Sequence, residues 1–479
     1  MKKFANRAVA LVLCITVLLS VFSVSTFAID SYEEWTTYYQ NYSQTDGNVL
    51  VSPGSDETQR NFSWYSSKKS KGPRVLVSED ENFSECKEFK GTFILTPEGL
   101  NVNKATVTGL EIGKRYYYKC LTTKSESKVG TIDTVRGNDF NALYVTDIHV
   151  TYNEKWCENP LMEESYNVDR LLTDANSRGK LDLVISAGDQ GSYGLRSEYM
   201  SVLASPQWAD VPFALCAGNH DRKGFDYLFL NNNPNKYDKG SNSLIGADYW
   251  YVKGNVLFMV FDSNNYSAKT HYDFAKAAVA ANPNVKWRVA VMHQDMYGIM
   301  SESRREESVK YMQPIFGPIF DGFGIDLVLL GHTHYYSVSN VIYDEQSVES
   351  TAGKTSITDP RGSVYFVSGS INHARVFEEE EKQDAPDVGY CYSSENIVYN
   401  YITFTNDSVT VSGYELGADE PFHTLTINKT TNNGGHPVYK DTFKDKLARY
   451  WFEFIGFFTE FGVKVGRFFQ TIEIVNKQK

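Results

Sequence analysis

Five short polar segments interrupt apolar runs in this chain: Asp147-Ile-His149, Gly188-Asp189, Gly218-Asn-His-Asp221, His293 and Gly331-His-Thr-His334. Together they hold five of the nine histidines, with the carboxylates of Asp147, Asp189 and Asp221. Imidazoles and carboxylates are ligands of borderline transition metals, and the amide oxygen of Asn219 is a further donor for such an ion. His220, beside that amide, takes up or releases a proton near neutral pH, and Asp221 next to it can fix its tautomer. Any one segment alone reads as an ordinary polar turn. All of them together, each just past an apolar run, point to a shared site for metal and proton chemistry.

Positioning such a site requires strands that end where the segments begin. The apolar runs are Phe140–Thr146, Leu181–Ser186, Val211–Cys216, Val256–Phe261, Trp287–Met292, Ile325–Leu330 and Ser363–Val367. They are continuous rather than alternating, as in strands buried on both faces. Helical patterns at Met162–Asn176, Tyr272–Ala281 and Ser301–Phe320 come between them. The expectation is an α/β domain over residues 137–427, a sheet core between helices, with its site in loops past the strand ends. Ile397–Phe404 and Ser408–Leu416 resemble a closing hairpin on that core.

The whole chain sets further bounds. Its 479 residues suffice for two or three domains. With 42% hydrophobic and 22% charged residues, wholesale disorder is excluded. A formal net charge of −12 argues against a general nucleic-acid binder. Phosphate substrates stay open, because a bound metal ion dominates its local field. Residues 1–28 read as a signal peptide: Lys2, Lys3 and Arg7 precede the apolar run Ala8–Val24, and Thr26 and Ala28 suit cleavage after Ala28. A secreted or cell-surface protein is expected, and the length of the run leaves an uncleaved anchor open.

Residues 29–136 read as an all-β sandwich, from short β-rich runs such as Phe62–Tyr65, Arg74–Ser78, Lys104–Thr108 and Arg115–Thr122 between turns. The segment Gly109–Tyr118 resembles a turn and strand of fibronectin type III-like domains. The cysteines show no metal-binding spacing, although Cys86 and Cys120 are candidates for one bridge. Residues 428–438 read as a polar linker. In the tail, 439–479, Leu447, Tyr450, Trp451, Phe454, Phe458 and Phe461 recur at helical spacing among Lys444, Lys446, Arg449, Lys464 and Arg467. Two expectations stand for it: a helix docked on the body, or an amphipathic helix on a membrane surface or a protein partner. Gly456 and Gly462 argue against one unbroken helix.

In order and spacing, the five polar segments resemble the blocks D-x-H, G-D, G-N-H-[DE], H and G-H-x-H of the calcineurin-like metallophosphoesterase superfamily. The β module, with Ser52-Pro-Gly and Asn61-Phe-Ser-Trp, is similar to the N-terminal domain of purple acid phosphatases, so the chain resembles a bacterial, secreted member of that branch. The resemblance implies a four-layer αββα sandwich behind the β-sandwich and a site for two metal ions. Asp147, His149 and His334 would hold the first ion, Asn219, His293 and His332 the second, and Asp189 would bridge them. Such a donor set suits Mn, Fe, Zn or Co. The implied activity is hydrolysis of phosphate esters by metal-activated hydroxide, with His220 as acid or phosphate stabiliser and Asp221 orienting its ring. One departure is visible: His149 and Ser192 stand where purple enzymes carry glycine and the metal-binding tyrosine, and Tyr193 lies one place further along.

Gln294–Tyr297, Arg304 and Arg305 are candidates for phosphate or leaving-group contacts, with surface solvation as the alternative reading of each. Asp262–Asn264 ends a strand on the same side, His373 of Asn372-His373 reads either as a cleft residue or as an ordinary loop histidine, and the arginine often found soon after G-H-x-H is absent. A phosphomonoesterase is the first expectation. A phosphodiesterase acting on nucleotides, lipids or cell-wall polymers is the second, and a surface-binding protein with a vestigial hydrolase domain is the third.

Overall fold

The computed structural model describes residues 29, 31–42, 48–134, 137–155, 158–237 and 248–477; the expected signal peptide, 1–28, lies outside them. Eight strands build the N-terminal module: β1 (Val49–Pro53), β2 (Gln59–Ser67), β3 (Arg74–Ser78), β4 (Lys87–Lys90), β5 (Thr92–Leu95), β6 (Leu100–Thr108), β7 (Arg115–Leu121) and β8 (Gly130–Asp133). They pair in two antiparallel sheets, ordered β1-β2-β6-β5 and β4-β3-β7-β8. Alternate side chains, Phe62 and Trp64 of β2, Val75 and Val77 of β3, Tyr118 and Cys120 of β7, meet in one core. Cys120 is therefore buried, while Cys86 is exposed, and both are free thiols, so the candidate bridge is not formed.

Sixteen further strands follow: β9 (Phe140–Val145), β10 (Leu183–Ser186), β11 (Phe213–Leu215), β12 (Tyr249–Lys253), β13 (Val256–Val260), β14 (Trp287–Val291), β15 (Leu327–Leu330), β16 (Tyr336–Ser339), β17 (Val341–Tyr343), β18 (Gln346–Glu349), β19 (Ser356–Thr358), β20 (Val364–Val367), β21 (Val388–Tyr392), β22 (Val398–Phe404), β23 (Ser408–Glu415) and β24 (His423–Asn428). Two seven-stranded sheets result, ordered β11-β10-β9-β22-β23-β24-β19 and β12-β13-β14-β15-β20-β16-β21. The longer helices are α1 (Tyr32–Gln40), α2 (Pro160–Arg178), α3 (Ala268–Ala281), α4 (Gln313–Phe323) and α5 (Phe443–Lys477).

The period of two along each strand sorts its side chains into layers. Phe140, Ala142 and Tyr144 of β9 face Val256, Phe258, Val289 and Leu327 of the other sheet. Leu143 and Val145 face the other way, onto Val168, Leu171 and Leu172 of α2. On the far side, Leu257, Met259 and Ala290 meet Phe274 of α3 and Phe316 and Phe320 of α4. Helix, sheet, sheet and helix thus form the expected four-layer sandwich.

Three readings of the sequence need correction. The segment from Ile29 is not wholly β, because α1 opens it. Its aromatic-rich sequence suits a strand, but tertiary contacts decide: Trp35 is fully buried and its indole N–H donates to the Met162 carbonyl at 2.9 Å. Residues 428–438 are not a free linker. The buried Lys429 ammonium donates to the Asp326 carboxylate at 2.9 Å, and His436 Nε2 lies 2.9 Å from the same carboxylate. Finally, α5 runs unbroken through Gly456 and Gly462. At Gly456 a side chain would be the obstacle, since a Cβ there would lie 2.8 Å from the Ser267 nitrogen.

Polar contacts fix the β module to the sandwich. Glu57 accepts from Arg60 at 3.0 Å and from Lys253 of β12 at 2.9 Å, all three buried. Asn232 donates to the carbonyls of Phe62 and Ala105. No helix among the described residues is long and apolar enough to cross a membrane.

Candidate metal centre

Strands β13, β14, β15 and β20 run parallel, as do β9, β10 and β11, so the loops after their C-terminal ends gather on one side. Asp147 and His149 follow β9, Asp189 follows β10, Asn219 and His220 follow β11, His293 follows β14, and His332 and His334 follow β15. Two glycines permit the close approach. A Cβ at Gly218 would meet Asp189 Oδ1 at 2.1 Å, and one at Gly331 would meet Thr146 Oγ1 at 2.0 Å.

Ligand-type atoms converge in three overlapping groups, each within 4.8 Å: Asp147, His149 and His334; Asp147, Asp189 and His293; His149, Asp189 and His220. His334 Nε2 lies 3.2 Å from Asp147 Oδ1, and His293 Nε2 lies 3.2 Å from Asp189 Oδ2 and 3.0 Å from Asn219 Oδ1. The His332 ring stands 5.1 Å from that of His293, and its backbone N–H donates to Asp147 Oδ2 at 2.8 Å. All seven candidate ligands therefore surround one point of the fold.

The donor set fits cations. Asp147 Oδ1 and His149 Nε2 are buried without a hydrogen-bond partner and face one another at 3.5 Å. The outer ring nitrogens are held instead: His293 Nδ1 donates to the Ala187 carbonyl at 2.9 Å and His334 Nδ1 to the His373 carbonyl at 2.8 Å, which turns the Nε2 of each ring towards the cluster. Burial opposes charge on His293, yet Asp189 and Asp147 outweigh it and raise the ring to about 9. Burial, followed by His293 and Arg304, pushes His332 down to about 3. The cluster therefore stabilises positive charge at its centre and keeps His332 neutral, the form that binds metal.

Above the cluster lies a cavity of about 230 Å³, lined by His149, Asp189, Asn219, His332 and His334 together with His220, Lys223, Arg304, His373 and Arg375. His220 Nδ1 donates to the Ser192 carbonyl at 2.7 Å, and its Nε2 is 4.0 Å from Asp189 Oδ2. Asp221 does not touch that ring. Fully buried, it accepts from the backbone N–H groups of Asp189, Gln190 and Gly218 and from the Tyr199 hydroxyl. The ring-orienting part expected of Asp221 therefore falls to the Ser192 carbonyl.

The substrate-side expectations divide. Arg304 and His373 line the cavity. Arg305 instead reaches the Met300 carbonyl, Gln294 bonds Asn264, and Asp295 accepts from the backbone of Tyr297 and Gly298. Asn264 braces the Gly218 carbonyl at 3.2 Å, and Asn372 braces that of Ile148 at 2.8 Å. Lys223 and Arg375 are cavity residues that the motifs do not mark. Lys223 carries one local signal, standing three places after His220, whereas Arg375 carries none. Arg304 lies against the Gly331-His-Thr-His334 segment, where its guanidinium donates to the His332 carbonyl at 2.5 Å.

Comparison with known proteins agrees with this geometry. Residues 140–336 match the calcineurin-like phosphoesterase family, and residues 47–134 match the purple acid phosphatase N-terminal domain. Human acid phosphatase type 7 is 25% identical over 317 residues, covering 59% of this chain and 68% of that protein. Purple acid phosphatase 23 of Arabidopsis thaliana is 22% identical over 379 residues, covering 72% and 77%. Among solved structures, the yellow lupin purple acid phosphatase PPD1 superposes with a TM-score of 0.64 at 13% identity, over 81% of this chain and 75% of that one. PhoD superposes with a TM-score of 0.53 at 14% identity, over 87% and 98%.

Proposed function

We propose that this chain, which matches the calcineurin-like phosphoesterase family and the purple acid phosphatase N-terminal domain, is an exported phosphomonoesterase with a dinuclear metal centre. In this reading Asp147, His149 and His334 would hold one ion and Asn219, His293 and His332 the other, with the Asp189 carboxylate available to both. Two such ions supply charge neutralisation and an activated water for in-line displacement at phosphorus.

The observation that carries the monoester reading is the cavity itself. Lys223, Arg304 and Arg375 surround a space of about 230 Å³ directly above the ligand cluster. Three cations around a small space suit the two negative charges of a terminal phosphate; a diester carries one charge and a second substituent to accommodate. His220 stands at the edge of that space with Nδ1–H on the Ser192 carbonyl. Its Nε2 is then the nitrogen left for the substrate. Burial opposes charge on the ring; the doubly protonated form, favoured by Asp189, is the one that delivers a proton from Nε2 to the leaving oxygen while the carbonyl keeps the ring from turning.

The test is hydrolysis of p-nitrophenyl phosphate against bis(p-nitrophenyl) phosphate after reconstitution with Mn, Zn, Fe or Co. The monoester is expected to be the better substrate by kcat/KM; preference for the diester replaces this reading with the phosphodiesterase one. Export is tested by N-terminal sequencing of protein recovered outside expressing cells, expected to begin at Ile29.

A further inference from the structure

Helix α5 carries two apolar faces, and the body covers one of them. Ala448, Phe452 and Ile455 pack with α3 and α4. On the uncovered flank Leu447, Tyr450, Trp451, Phe454, Phe458 and Phe461 are each 57–66% exposed. Their spacing of three or four residues draws one stripe along the helix. Apolar residues scattered singly on a surface call for no account, but a continuous aromatic stripe marks a contact surface.

The composition of the stripe selects what covers it. A second copy paired as a coiled coil favours Leu, Ile and Val in its seam. Here aromatic rings dominate, the side chains enriched where a bilayer meets water. Charge points the same way: residues 439–479 hold eight Lys and Arg against five Asp and Glu, in a chain whose formal net charge is −12. Lys444, Lys446 and Lys464 are exposed on this helix. We propose that the uncovered face of α5 seats the enzyme on an anionic lipid surface.

Near the start of α5 Arg449 lies over Tyr272 of α3, and the preceding Tyr439 approaches Gly322 at the end of α4. By Gly456 the helix has reached Ser267, in the loop past the C-terminal end of β13. The candidate ligands follow the same strand ends, and Asn264 of that loop is bonded to Gly218. Beyond that point Phe468 and Phe469, both 63% exposed, extend the exposed aromatic stripe.

Flotation of the full chain with vesicles of phosphatidylcholine alone, or with 30% phosphatidylglycerol added, tests the proposal. Both vesicle types are run with the wild-type chain and with a Trp451→Gln, Phe454→Gln, Phe458→Gln variant, whose altered side chains are exposed. Vesicles without charged lipid report any contribution of the apolar N-terminal run, which both chains share. The expected result is at least tenfold greater partition onto the phosphatidylglycerol vesicles, weakened by salt, and lost in the variant while p-nitrophenyl phosphate turnover in solution is unchanged. Partition that ignores lipid charge, or that the variant retains, overturns the proposal. So does a concentration-dependent dimer, measured by sedimentation, that the three substitutions abolish without any change in vesicle binding.

Discussion

The carboxylate of Asp221 accepts a hydrogen bond from the backbone N–H of Asp189 at 2.8 Å. Asp189 has φ 55°, a left-handed backbone that a non-glycine residue adopts only when its surroundings impose it. The same carboxylate takes the N–H of Gly218 at 2.8 Å. One buried side chain thus ties the loop of Asp189 to the loop of Asn219 and His220.

From this tie, Asp221→Asn is expected to act on the metals. Loss of one acceptor frees the Asp189 backbone and should weaken metal affinity about 10–100-fold, as for other outer partners of metal ligands. Metal titration followed by elemental analysis checks this. Full metal occupancy with turnover reduced as in a His220 variant would restore the ring-orienting role to Asp221.

Changing His220 itself should give the opposite pattern. His220→Ala is expected to keep both metals and to lose turnover by about 10²–10⁴-fold, the range for general acid–base catalysis. The loss should be larger for alkyl phosphates than for p-nitrophenyl phosphate, whose leaving group needs less protonation. Equal losses on both would remove the acid role.

The metal-loaded protein is expected to be without the violet colour of purple acid phosphatases. His149 is among the converging ligand atoms, whereas Tyr193, which lines the cavity, has its hydroxyl accepting from Asn153 at 3.3 Å and packs on Tyr152. An absorption spectrum of the iron-reconstituted protein decides; an intense visible band abolished by Tyr193→Phe would place that phenolate on the metal.

The junction between the β module and the sandwich should respond to acid. Burial raises a carboxyl pKa, but Arg60 and Lys253 outweigh it and lower Glu57 to about 2. A group depressed on folding contributes stability above its unfolded value, and this contribution disappears as pH falls from about 5 to 2. Burial lowers the Lys253 ammonium in turn, so the network stabilises by less than the Glu57 shift alone. Glu57→Ala leaves two buried cations without their partner and should cost about 3–5 kcal/mol at neutral pH. Denaturant midpoints measured from pH 7 to 3 should fall less steeply for the variant; parallel curves would show that Glu57 carries none of the acid sensitivity.

Much of the site was legible along the chain because burial leaves a local mark. Strands such as β9, β14 and β15 are covered on both faces, so each reads as a mostly apolar run, broken only by Asn141 in β9 and Arg288 in β14, and a polar residue just past it stands out. By contrast Lys87–Lys90 and α1 carried no such mark. The former is a polar strand at a sheet edge; the latter owes its burial to α2, more than a hundred residues away.

The sequence alone determined the chemistry available: three carboxylates, five imidazoles and one amide, each in a polar segment just past an apolar run. Tertiary structure decided how those groups divide the work. Asp147, His149, Asp189, His332 and His334 all have φ between 50° and 77°, conformations that cost roughly 1–3 kcal/mol each and persist only where packing holds them. Asp221 turned to its neighbours' backbone, and Ser192 took the His220 ring. Arg304 reached the cavity from the short helix Glu302–Glu307, and Arg375 from a loop. None of these choices has a local signature, because each depends on which distant backbone atom lies within hydrogen-bond reach once the sheets have packed.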